Sequence, residues 1–229
     1  MLTIGLTLLV SLDKIKNYIM KKRQTFALLF AIFMTGNVFA QDGEEKAYSK
    51  ISVIAYGGIG YGIVDNNNQA NYNLNSNSGD LVLNYKFTKN FGVATGLGLN
   101  QLSGHGFNSA GQFYHERDLI KIPLLLSIDQ NVGDNFKVFV YLGPYAQTIV
   151  NDEYTFVNAT VKDVYEGWNF GFQLGFGFLY EVSDRFSLGL NYLGQSDLSK
   201  LETNNNQIIN DEQRVKNLNT VGLMFILEF

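Results

Sequence analysis

His105 and His115 are the only two histidines of this 229-residue chain, and they share one polar stretch with Ser103, Ser109, Glu116 and Asp118. These are the parts of a nucleophilic hydrolase: a hydroxyl to attack, an imidazole to take its proton, and a carboxylate to orient the imidazole. The same stretch carries Gly104, Gly106 and Gly111, which supply no rigid frame. The two histidines are therefore expected to be polar surface and the chain not to be an enzyme, with a lipid-acting hydrolase in this loop as the alternative. Gly57, Gly58, Gly60 and Gly62 imitate a phosphate-binding loop, but they fall inside an apolar alternation with no helix pattern after it, so no nucleotide cradle is expected. Cysteine is absent, which removes disulfides and thiolate metal sites. No cofactor and no metal are expected.

The elements that must position these residues are strands. Trp168, Phe170, Phe172, Leu174, Phe176, Phe178 and Tyr180 alternate with mostly small or polar residues, a period of two that gathers them on one face of a strand and scatters them around a helix. Phe186, Leu188, Leu190 and Tyr192 resume the pattern after a turn at 182–184. Comparable rows occupy 51–63, 81–87, 91–99, 120–128, 136–142 and 221–229, which makes eight strands. In the fifth strand Phe136, Val138, Val140 and Leu142 compete with Phe139, Tyr141 and Tyr145 for the apolar face. Lys137 decides for the first set, because a charge belongs away from lipid.

Short turns at 88–90, 130–135 and 182–184 alternate with long polar segments at 64–78, 103–115, 151–166 and 198–216, of which the first and last, rich in Asn, read as mobile loops. An even strand number places both termini on the short-turn side. This is the anatomy of an all-β, eight-stranded antiparallel up-and-down transmembrane β-barrel. A soluble sandwich accounts less well for the second face, which is rich in glycine (Gly92, Gly96, Gly98, Gly171, Gly175, Gly177) and leaves room for a narrow interior of mixed polar side chains. Tyr61, Tyr85, Phe91, Tyr180 and Tyr192 near strand ends suit interfacial girdles.

Lys21, Lys22 and Arg23 precede an apolar run over 26–34, and Val38 and Ala40 stand three and one before Gln41. This is the layout of a secretory signal peptide over 20–40, with cleavage between Ala40 and Gln41. Residues 1–19 then read as an upstream extension, 41–48 as a periplasmic stub and 49–229 as the barrel. Cleavage removes five basic residues and one acidic one, taking the net charge from −4 to −8. So acidic a chain is not expected to bind nucleic acid.

With the apolar rows outward, charges of the other face point into the lumen. Asp129, Lys137, Glu181, Arg185, Glu228 and Lys50 alternate in sign around the end that carries the termini. Such a ring is expected to plug a barrel of this width, which side chains fill; a narrow pore is the alternative. Lys86 and Lys121 have no evident partner in the sequence.

Three segments carry a family resemblance: Asp118-Leu119-Ile120-Lys121-Ile122-Pro123-Leu124-Leu125-Leu126, Tyr141-Leu142-Gly143-Pro144-Tyr145, and the glycine-spaced strand 171–180. They are similar to the strands of the PorT-like outer-membrane β-barrel family, with Ile120 and Lys121 departing from that family's usual Leu-Glu and inverting an inward charge. The resemblance implies a Gram-negative outer-membrane location, long loops outside and both termini periplasmic. It also implies service through external loops or as an anchor in an envelope or secretion assembly. Phe225, Leu227 and Phe229 at the end resemble the tag read by the barrel-assembly machinery. The expected protein is a monomer whose partners are outer-membrane lipid, that machinery and envelope proteins.

Overall fold

In the computed structural model, which describes residues 48–204 and 211–229, the aromatic rows become the outside of a closed barrel. The strands in chain order are β1 (Ile51–Asn66), β2 (Tyr72–Lys86), β3 (Phe91–Asn108), β4 (Gly111–Asn131), β5 (Phe136–Phe156), β6 (Thr160–Lys162), β7 (Tyr165–Glu166), β8 (Trp168–Ser183), β9 (Phe186–Asp197), β10 (Leu201–Thr203) and β11 (Glu212–Glu228). Eight of them, β1, β2, β3, β4, β5, β8, β9 and β11, form the wall, each antiparallel to the next, and β1 pairs with β11 as well as with β2. Closure lets the ladder use the backbone polar groups internally, which hydrocarbon demands. The short β6 extends β5, while β7 and β10 add to β11 above the wall. The leader over 20–40, its Ala40–Gln41 junction and the stretch 1–19 lie outside the described residues.

The outward rows are those the alternation predicts. Leu83, Leu97, Leu124, Phe176 and Leu223 are exposed, while Phe139, Tyr141 and Tyr145 are buried inside with Lys137, so the lysine does settle the fifth strand. The glycines of the inner face make space for rings. A Cβ on Gly175 would collide with the Tyr141 ring, and one on Gly171 with the Tyr145 ring.

Among the described residues, much of the four long segments expected to be loops is strand. Only 67–71 separates β1 from β2, and β3 and β4 meet across a two-residue turn at 109–110. β5 runs on to Phe156 and β11 begins at Glu212. Here the strands rise beyond the apolar band, with Ser103, His105, Glu116, Asp118 and Glu153 on the outside. The outer face meets water there, so the alternation becomes polar against mixed and looks like loop. The rim bearing Phe229 and the turns 87–90, 132–135 and 184–185 is called the terminal rim below; the opposite end is the loop rim.

Candidate functional site in the barrel lumen

The interior is layered. At the terminal rim Lys86 Nζ lies 2.6 Å from Asp129 Oδ2 and 3.1 Å from Glu228 Oε1. Lys137 Nζ reaches Glu228 at 3.0 Å, Glu181 at 3.1 Å and Asp129 at 3.5 Å. Both lysines are almost fully buried. The alternating ring is thus replaced by a crossing cluster. Lys86, read as partnerless, stands at its centre, whereas Lys50 and Arg185 are exposed and make no ion pair among the described residues. Lys50 precedes β1 and Arg185 occupies the turn before β9, so neither is aimed by the pleat. Their backbone carbonyls instead accept from the N–H groups of Lys86 and Glu228.

Above this cluster Ser127 donates to Asn84 at 2.7 Å and Asn84 to Ser52 at 3.3 Å. Then comes an apolar layer: Ile54, Val82, Ala94, Leu125, Phe139, Leu179 and Met224, all buried. The cavity it encloses is about 20 Å³, room for about one water.

The middle layer is polar. Lys121 Nζ is 3.0 Å from both Asp80 Oδ2 and Gln195 Oε1 and is fully buried, so this lysine too has a partner. Gly98 leaves room for the pair, since a Cβ there would press on the ends of the Asp80 and Lys121 side chains and force them to shift. Asp197 accepts from Tyr145 at 2.7 Å, Gln147 at 2.9 Å and the Val215 N–H at 2.8 Å. A second apolar layer follows: Val64, Leu74, Leu102, Leu119, Val215 and Leu218.

The top layer lies above the apolar band, inside the loop-rim extension. Asp152 Oδ1 accepts from His115 Nε2 and Arg117 Nε, each at 2.8 Å, and its Oδ2 from the Tyr165 N–H at 3.2 Å. With the Nε2 proton given to a carboxylate, His115 Nδ1 accepts from Tyr72 Oη at 2.9 Å. The imidazole stacks on Tyr154 at 4.0 Å, and the Arg117 guanidinium sits over the Tyr165 ring. His115, Arg117 and Asp152 have no exposed surface. Burial pushes the His115 imidazole down to about 4, against the pull of Asp152. For Asp152 burial acts upward, but the Arg117 charge and the His115 bond outweigh it and hold the carboxyl at about 2.

The Ser-His-acid set is not assembled. His105 is outward beside Tyr114, and His115 is inward. Ser103 is on the outer face opposite Glu116, Asp118 is outward, and Ser109 is in the turn. The cause is parity: across the two-residue turn, odd positions face out on β3 and in on β4. His115 is therefore core, not the surface residue expected. Replacing His105 by Ala should change stability by less than about 0.5 kcal/mol, and His115→Ala should cost about 2–3 kcal/mol; urea midpoints of the refolded protein test the contrast. Tyr72, Arg117, Asp152 and Asp80 were missed by the sequence reading, although Phe113, His115, Arg117 and Leu119 do recur at period two.

A family model described as outer membrane protein beta-barrel domain matches residues 26–229. The outer membrane protein OprG from Pseudomonas aeruginosa is 13% identical over 80% of this chain and 99% of its own, with a TM-score of 0.51. Neisserial surface protein A is 12% identical over 80% of this chain and 100% of its own, with a TM-score of 0.49. The outer membrane protease OmpT from Escherichia coli is 10% identical over 81% and 99%, at 0.46. The likeness to OprG is one of fold. No curated protein matches the chain.

Proposed function

The chain belongs to the outer membrane protein β-barrel family, whose place is the Gram-negative outer membrane, and from that premise we propose a non-enzymatic, monomeric barrel with a closed lumen that works through its loop rim. The observation carrying this reading is the pair of apolar layers, around Phe139 and around Leu119, that bracket the buried Lys121–Asp80 pair. Ions crossing the lumen would have to shed water at both layers, and each layer is filled by side chains. Loop-rim strands on the outside of the cell and termini in the periplasm follow from the short-turn, long-strand asymmetry of such barrels.

Above the membrane the described residues continue as paired strands, a platform that suits a standing contact with an envelope partner. Within the family the PorT-like branch fits the segments at 118–126, 141–145 and 171–180, and a role as anchor in an envelope or secretion assembly agrees with it. Phe225, Leu227 and Phe229 lie exposed on the lipid side of β11 and its end, where the assembly machinery would read them before closure. Planar-bilayer recording tests the closed lumen: the refolded protein should insert without conductance steps, and regular single-channel openings would overturn the reading.

A further inference from the structure

Just above the apolar band, the outer wall carries opposite charge on its two sides. On β4 and β5, Glu116 lies opposite Glu153 and Asp118 opposite Asn151; Lys162 answers Glu153 at 2.8 Å, leaving the side acidic. On β1 and β11 the balance reverses. Arg214 Nε and Lys216 Nζ converge on one oxygen, Asp65 Oδ2, at 3.0 and 2.6 Å. Two cations share a single carboxylate. Higher up, Lys200 bonds Glu212 at 2.8 Å, and Glu202 lies opposite both Glu212 and Glu166, so the surplus of cations is confined to the level of Arg214 and Lys216.

A bulge puts the cations there. Between the pairs Tyr61–Asn219 and Ile63–Lys216, β11 has one residue more than β1, and Asn217 takes the extra turn at φ 50°. Below it odd residues of β11 face outward (Asn219, Val221, Leu223); above it even ones do, so Arg214 and Lys216 emerge while Val215 turns into the core. Directly beneath the cations is an outward groove of about 780 Å³, with Ile59, Tyr61, Tyr192 and Val221 as apolar walls and Asn75 and Asn219 as polar ones. Below the groove lies Gly57, where an added Cβ would meet open space, paired with Gly79. The wall there is one side chain lower than its surroundings.

We propose that this face binds one phosphorylated lipid, its phosphate held by Arg214 and Lys216 and one acyl chain lying in the groove over Ile59, Val221 and Gly57. Charge complementarity selects the occupant: the surplus cation sits where the polar headgroup of a bilayer lipid begins, above an apolar trough, and the opposite side would repel the same headgroup. The site makes no use of the lumen and stands or falls independently of its closure.

Native mass spectrometry of the refolded mature protein in neutral detergent tests it, with phosphatidylglycerol and phosphatidylcholine of identical acyl chains as probes. One phosphatidylglycerol should be retained about tenfold better than phosphatidylcholine, a ratio equivalent to about 1.4 kcal/mol. Arg214→Gln with Lys216→Gln should abolish the preference, and Lys216→Gln alone should weaken it while leaving the Arg214–Asp65 pair. Gly57→Leu should lower retention of both lipids, and Lys162→Gln on the acidic side should change nothing. Heat-dependent gel mobility checks that each variant is folded. Equal retention of the two lipids by the unaltered protein, an undiminished preference in the double variant, or an equal loss in Lys162→Gln overturns the proposal.

Discussion

Asp152→Ala should destabilise the barrel by about 3–5 kcal/mol, among the largest effects of any single substitution here. Among the described residues the carboxylate is the sole anionic partner of Arg117, and it also takes hydrogen bonds from His115 and the Tyr165 N–H. Removing it strands a guanidinium with no exposed surface, and an unpaired buried charge costs far more than the pair contributes net. Trp168, the only tryptophan of the chain, opens β8 on the loop-rim side, so its emission in a urea titration reports the affected half directly. A shift of the midpoint no larger than that of His105→Ala would show that the top layer does not hold the extension together.

The same layer makes stability fall in acid, in two stages. Folded His115 titrates near 4, below the ordinary histidine value of about 6.5. Between those values the unfolded chain takes up a proton that the folded one refuses, so stability drops as pH falls from about 6.5 to about 4, by roughly 3 kcal/mol. Asp152, held at about 2, contributes stability that is present above the ordinary aspartate value and lost as pH falls from about 4 towards 2. His115→Gln keeps a donor for Asp152 and has no titration of its own. Unfolding midpoints at a series of pH values should therefore lose the upper stage in this variant and retain the lower.

The lipid-facing half of the fold is legible in the sequence because it depends on one strand at a time. Trp168 to Tyr180 declare their face by period alone, and Lys137 is enough to orient β5. The lumen is different, because its contacts cross the barrel between strands that the chain separates widely. Lys86 meets Glu228, 142 positions away, and Lys121 meets Gln195, 74 away; strand tilt and stagger set such meetings. Counting charges from the nearest turn put Lys50 and Arg185 in the cluster and left Lys86 out. The loop-rim extension was hidden for a second reason. Once the outer face leaves lipid, a strand such as 113–119 has polar residues on one side and His115 and Arg117 among apolar ones on the other, so hydropathy no longer alternates although the pleat does.

Lys121→Met and Asp80→Asn should each cost about 3–5 kcal/mol, while the double substitution costs no more than about 1–2 kcal/mol. Either single change leaves a partner in a layer closed above and below by apolar side chains, where the cavity of about 20 Å³ beside Asp80 has room for about one water and cannot replace bulk solvation. For Asp80 the position is tighter still, since Oδ1 has no hydrogen-bond partner among the described residues and Oδ2 depends on Lys121. Removing both charges takes away the desolvation cost along with the attraction, and a buried ion pair is often replaced at little net cost. A coupling free energy near zero in the double-mutant cycle would mean that the lysine and aspartate find other partners. The double variant also separates stability from closure. Its middle layer has lost the central ion pair, yet Phe139 and Leu125 below and Leu102 and Leu119 above are untouched. It should therefore insert into planar bilayers as silently as the unaltered protein, because the seal against ions resides in the apolar layers and the charged pair sets only how firmly the strands between them are held.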